Sequence, residues 1–154
     1  MTLQGPRLTL TALDADGLAE VRPTPDMAGP LPFFVARLRE DPDAKGFWVW
    51  LATLDDGSEV GLAGFGGRPR DDRRLTLGYS VHDEHQGHGY ATEIVELLTA
   101  WALARDDVDL VRLTISPENA ASLRVAEKAG FAPTGEMVDD EEHGRLLVLE
   151  RRAA

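Results

Sequence analysis

Residues 74–101 read RLTLGYSVHDEHQGHGYATEIVELLTAW, and partway along this stretch the spacing of apolar residues changes. Residues 74–81 alternate as a strand does, whereas Ile94, Leu97, Leu98 and Trp101 fall on one helical stripe that persists to about Arg105. Between the two lies HQGHG, residues 85–89, with two glycines and two histidines. A strand that turns through glycine into a helix presents backbone N–H groups without intrahelical partners, aligned with the positive end of the helix dipole. Such a turn is a natural seat for an anion, above all a pyrophosphate. It is neither of the two common glycine signatures: GxxxxGK[ST] is absent, and GxGxxG fails because Thr92 follows Gly87 and Gly89.

Working outward, residues 109–115 alternate again, with Val111, Leu113 and Ile115 on one face, so strand, helix and strand form a crossover over about 75–115. A short helix follows from Asn119, with Gly130 where a left-handed cap belongs. The runs 131–138 and 145–152, separated by DDEEHG at 139–144, predict a hairpin. Upstream, 47–54 and 59–67 predict a second hairpin about Asp55-Asp56-Gly57-Ser58, continued by 74–81 as a meander. Nearer the start, 7–13 reads as a half-buried strand and 14–21 as a short helix capped by Asp14. A proline-rich loop at 22–32 leads into a helix bearing Leu31, Phe34, Val35 and Leu38, which Asp41-Pro42 ends. The order predicts a mixed α/β (α+β) fold with a largely antiparallel sheet.

The chain has 154 residues, suited to a single domain over 1–154, and no cysteine, which excludes disulfides, thiolate metal sites and cysteine nucleophiles. The first residues lack a basic segment followed by an apolar one, and no stretch approaches the ~20 apolar residues of a membrane span. A soluble, cytoplasmic protein is expected. The net charge of -11 argues against nucleic-acid and anionic-membrane partners, so a phosphate-bearing ligand must be held locally by backbone dipoles or a few arginines.

Gln86, Gly89 and Ala91 form QxxGxA, which resembles the acetyl-CoA signature of the GCN5-related N-acetyltransferases (GNAT). PRLTL near the start, LGYSVHDEHQGHGYATE, and PENAASLRVAEKAGF are similar to the Rim-type ribosomal-protein N-terminal acetyltransferases, in order and spacing over nearly the full length. The resemblance implies the GNAT fold, with about seven strands and a splayed strand pair that admits acetyl-CoA. It implies that the backbone of Tyr79, Ser80 and Val81 pairs with the pantetheine arm. It also implies that N–H groups of Gly87, His88, Gly89, Tyr90, Ala91 and Thr92 cradle the pyrophosphate, with Gln86 in the signature. Asn119 falls near the thioester end and Ser122 one turn inside the same helix. The implied reaction is direct attack of an acceptor amine, from a protein N-terminus or a small molecule, on the thioester.

The sequence departs from many relatives at the reacting groups. The family's general-acid tyrosine aligns with Ala126, a glutamate base with Thr114, and the acidic residue before the GY pair with Thr76. Ser122, with Asn119, is therefore the candidate to support the departing thiolate, and no base is named. An α-amine, with pKa ~8, needs less help to deprotonate than a lysine near ~10.4, which favours an α-amine or another weakly basic acceptor.

Simpler roles stand beside these. His82, His85 and His88 are spaced by three, but no carboxylate or cysteine stands at a ligand spacing, so no metal is expected and solvent-facing histidines are. Asn119 is a good helix cap whatever else it does. Glu93, in the first turn, reads as structural or pocket-lining. Arg68, Arg70, Arg73 and Arg74 are read as solvated turn charges in preference to contacts with CoA phosphates, and DDEE at 139–142 as more often a solvated tip than an attraction for cations. Phe33, Phe34, Phe47, Trp48 and Trp50 are assigned mostly to the core.

Three functions follow: an acetyl-CoA-dependent N-acetyltransferase with its acceptor between the 22–38 region and the 139–144 hairpin, a non-catalytic CoA sensor or scaffold of the same fold, or a small interaction domain without cofactor. The first is favoured. Dimers are common in the resembled family, so a homodimer is the assembly it suggests.

Overall fold

A computed structural model describes residues 1–153. Eight strands form one sheet in the order β1-β2-β3-β4-β5-β6-β8-β7. They are β1 (Thr2–Gln4), β2 (Thr9–Ala12), β3 (Val49–Thr53), β4 (Glu59–Phe65), β5 (Arg74–Val81), β6 (Leu110–Ile115), β7 (Ala132–Asp140) and β8 (Gly144–Arg152). The helices are α1 (Ala15–Glu20), α2 (Leu31–Glu40), α3 (Tyr90–Leu103) and α4 (Ala120–Lys128). The expected α/β class and order are found, with one strand more than the seven anticipated. The addition is β1, a three-residue edge strand whose register, Leu3 opposite Leu10, is supplied by β2.

Alternation along the strands sends side chains to both faces of the sheet. In β3, Trp50 joins a core with Leu8, Leu10, Leu75 and Leu77 under Ile94, Val95, Leu98 and Ala102 of α3 and Ala126 of α4. Its neighbour Val49 joins Leu62, with Leu18 of α1 and Leu38 of α2. Helices therefore cover both faces, which is why the central strands read as nearly continuous apolar runs.

The far end of α3 is anchored by Trp101, whose ring lies 5.6 Å from Phe47, 5.3 Å from Trp50 and 5.8 Å from Phe65. The buried Trp50 indole N–H donates to the Gly46 carbonyl at 2.8 Å, so this apolar cluster leaves no orphaned donor there. Of the other rings expected in the core, Phe34 and Trp48 are partly buried, whereas Phe33 is exposed.

The neighbouring pairs are antiparallel except one. β5 and β6 are parallel, joined by the α3 crossover, and pair only at Arg74 with Leu110, Leu75 with Val111 and Thr76 with Arg112. Beyond Thr76 the strands part: β5 continues against β4 as far as Val81 opposite Gly61, while β6 continues against β8 as far as Ile115 opposite Leu147.

The meander is drawn tight at Gly64, opposite Val49 on one side and Gly78 on the other. A Cβ there would overlap the Trp48 carbonyl oxygen, which as backbone within the sheet cannot retreat. Gly64→Ala is expected to cost about 3 kcal/mol, read as a lower urea midpoint with an unchanged denaturant slope.

Candidate functional site

The parting of β5 and β6 opens a cleft of about 620 Å³. Tyr79, Ser80 and Val81 of β5, the turn residues Gln86, Gly87 and Gly89, and Tyr90, Ala91 and Thr92 of α3 line it, facing Asn119 and Ser122 at the start of α4. These residues come from separate stretches of chain and meet at the mouth of the wedge. His88 is the one expected cradle residue outside the lining. Its Nδ1 lies 2.9 Å from the Gln86 carbonyl, and its ring stacks on Tyr90 at 5.5 Å, so its side chain braces the turn.

The turn has the geometry that an anion requires. Gly87 and Gly89 have φ of +81° and +80°, in the left-handed region that favours glycine, and a Cβ on Gly87 would meet nothing within 4 Å. From Gly87 to Thr92 no N–H donates to a backbone carbonyl; Glu93 is the first to do so, to Gly89 at 3.3 Å. Gln86 closes the turn from within, its side-chain amide donating to the Val81 carbonyl at 3.1 Å. On the opposite wall, Arg124 and Lys128 of α4 face the same space. Orphaned donors and two cations fit a polyphosphate despite the net charge of -11.

The turn is also held from behind. Glu93 is buried, and its carboxylate accepts from the Arg7 N–H at 3.0 Å, the Leu8 N–H at 2.8 Å and the Arg7 Nε at 3.0 Å. Arg7 in turn donates to the His88 carbonyl at 2.7 Å and lies 4.5 Å over the Tyr90 ring. The strand entry at PRLTL is thereby tied to the start of α3. Glu93 thus has a structural role, and Arg7 is the partner that sequence reading missed.

At the inner end, the Tyr79 hydroxyl donates to Ser122 Oγ at 3.0 Å. Burial pushes the Tyr79 pKa up, opposed by the Ser122 bond, so the phenol keeps its proton at neutral pH. Because the Ser122 oxygen accepts from Tyr79, the serine's own proton can point elsewhere. Asn119 caps α4, its Oδ1 accepting from the Ser122 N–H at 3.1 Å. At the other end of α4, Phe131 N–H bonds to the Ala126 carbonyl and Gly130 N–H to Glu127, with Gly130 at φ +85°. The buried Ala126 belongs to the core.

One expectation is corrected. His82 does not face solvent: it is 2 % exposed and its Nε2 has no hydrogen-bond partner. Burial lowers its pKa, and the positive charge of Arg22 adds to the effect. The arginines of the 68–74 turn are the solvated turn charges expected, since Arg74 begins β5 and the glycine turn follows its last residue, about 23 Å away at strand rise. Arg68 pairs with Asp41, Arg73 with Asp109 and Arg74 with Asp72. Among the described residues no group of three or more His, Asp or Glu side chains could hold a metal ion, and no helix is long and apolar enough to cross a membrane.

Comparison with known proteins agrees with this geometry. Residues 7–132 match the family described as acetyltransferase (GNAT) domain, and the chain belongs to that family. It is 31% identical over 110 residues to an uncharacterised N-acetyltransferase, YjdG, of Bacillus subtilis (strain 168), covering 71% of this chain and 66% of that one. The chain spans about half to two thirds of the length of the curated relatives it matches. Among solved structures it resembles RimL, a ribosomal L7/L12 α-N-protein acetyltransferase in complex with coenzyme A. That match has a TM-score of 0.76 at 15% identity and covers 99% of this chain and 98% of that one. It likewise resembles the dodecameric spermidine N-acetyltransferase from Vibrio cholerae, with a TM-score of 0.78 at 14% identity, covering 97% and 95%.

Two outcomes are expected. Glu93→Ala would strip the acceptor from two backbone donors, one of them buried, and cost about 2 kcal/mol, seen as a lower Tm. His82 has a folded pKa below its unfolded value of about 6.5, so its share of stability is present above that pH and is lost as pH falls below it. The Tm difference between the wild type and His82→Leu should shift against the wild type as pH falls below about 6.5. A parallel pair of Tm curves would show that folding leaves the His82 pKa unchanged.

Proposed function

We propose that this protein is an N-acetyltransferase that moves the acetyl group of acetyl-CoA to a primary amine by direct attack. The observation that carries this reading is the wedge between β5 and β6, with the glycine turn at one side and the Tyr79–Ser122 pair deep on the other. Beyond Thr76 the β5 edge has no strand partner, and the amides of a pantetheine arm supply what a strand would. N–H groups from Gly87 to Thr92 hold the pyrophosphate, with Arg124 and Lys128 as the nearby cations. The family membership and the coenzyme A in RimL support this assignment. A protein and spermidine are named as the acceptors of two neighbours, which supports an amine nucleophile.

When bound, acetyl-CoA supplies an activated acyl group whose leaving group is a thiolate. Ser122 is the group that meets that thiolate: its O–H is the donor, and Tyr79, still protonated, holds the oxygen in place. The Tyr79–Ser122 pair takes the task that the residue at position 126 cannot, since Ala126 has no donor and is buried. Asn119 fixes the backbone from which Ser122 projects.

Acetyl-CoA at a hundredfold excess over its Kd should stabilise the fold by about 2.7 kcal/mol, read as a Tm increase that ATP and NAD do not reproduce. Ser122→Ala should lower kcat about tenfold to a hundredfold with little change in acetyl-CoA affinity, and Tyr79→Phe should lower it less. Acetyl-CoA binding without thiol release above background for any amine would establish a binding module instead.

A further inference from the structure

We propose that Asp26 is the acceptor's anchor and proton acceptor, and that the acceptor is therefore a primary amine recruited in its charged, ammonium form. This rests on the reading of the cleft as an acetyltransferase site. Charge within the cleft is polarised: Arg124 and Lys128 stand on α4, and Asp26, from the proline-rich loop between α1 and α2, is the one carboxylate lining it. Asp26 is also unspent. Its Oδ2 accepts only a long 3.4 Å bond from Ser80 Oγ, and the cation of its own loop, Arg22, is committed to Glu84 at 2.7 Å.

Ser80 is the strand neighbour of Tyr79, whose hydroxyl holds Ser122. Adjacent side chains of a strand point to opposite faces, so Asp26 and the Tyr79–Ser122 pair approach the wedge from opposite sides of the sheet. That arrangement lets an amine and a leaving sulfur be served separately. The field at this end is negative beyond Asp26 itself. His143, at the tip of the β7–β8 hairpin, has its pKa raised first by its hydrogen bond with Asp140, with Glu142 and Asp26 adding to it. Asp26 and the hairpin carboxylates thus add to one negative field, which favours cations.

The step balances as follows. The Asp26 carboxylate takes one proton from R–NH3+, giving the neutral amine. The nitrogen lone pair forms the C–N bond at the acyl carbon, the C–S bond breaks with its electron pair leaving on sulfur, Ser122 Oγ gives its proton to that sulfur, and the nitrogen's second proton, released through solvent, restores the Ser122 hydroxyl. The products are the amide, the free thiol and one proton, which the exposed Asp26 returns to solvent.

The test is equilibrium binding, by calorimetry, of benzylamine, a diaminoalkane and a short peptide with a free N-terminus to protein saturated with CoA, with aniline as an amine of similar size to benzylamine that is neutral at pH 7. At least one ammonium probe should bind the wild type, and Asp26→Asn should weaken it about tenfold or more, while CoA affinity and the weak aniline binding stay unchanged. With turnover, kcat/KM for the ammonium acceptor should fall about a hundredfold in Asp26→Asn, and the gap should narrow as pH rises through the acceptor's own pKa. Equal ammonium binding by both proteins, binding of none of the ammonium probes by the wild type, or loss of CoA affinity in Asp26→Asn would overturn the proposal. Asp26-dependent binding of ammonium with no acetyl transfer would sustain the anchor and overturn the catalytic reading of the cleft.

Discussion

The structure depends on one early termination: the parallel pairing of β5 with β6 ends after Thr76. Had it continued, the backbone of Leu77–Val81 would be bonded to a neighbour on each side, and the sheet would be closed where the cleft now lies. Each strand is kept in place by its other partner, β4 for β5 and β8 for β6, so the parting costs neither strand its register. The helices then follow the two halves. α3 leaves the end of β5 with its free N–H groups at the wedge mouth, and α4 leaves the end of β6 and closes the opposite wall.

A gap of this kind is useful only if its edges are stiff, and most of the unusual contacts in the molecule serve that end. The Glu93 carboxylate binds the Arg7–Leu8 backbone, Arg7 reaches the His88 carbonyl, and Gln86 bridges back to Val81. The Trp101 cluster fixes the same helix at its other end. A preorganised turn binds its ligand without first having to order it, and this matters most where the donors are individually weak backbone groups. The Asn119 cap does the same for Ser122.

A net negative charge does not by itself bar a polyanion from a glycine turn at a helix start. N–H groups at a helix start carry no formal charge, and their effect fades within about a turn of the helix end. Many of the other carboxylates pair with nearby arginines, as Asp41 does with Arg68, whose hydrogen bonds hold the Asp41 pKa down.

The sequence by itself determined the elements and the glycine turn. Residues 74–81 and the stripe at Ile94, Leu97, Leu98 and Trp101 announce strand and helix because burying one face of each imposes a period on apolar residues. QxxGxA is likewise local, since the backbone conformation at Gly87 and Gly89 is set by neighbours in the chain. β1 was not legible because three residues carry no period, and it becomes a strand only when β2 supplies its partners. His82 was misread because a spacing of three in a turn says nothing of burial. The Arg7–Glu93 tie, the Tyr79–Ser122 bond, the Arg124 and Lys128 wall, and the position of Asp26 lay beyond sequence reading for a common reason. Each joins residues dozens of positions apart, and only the packing of the sheet between its helices decides which of them meet.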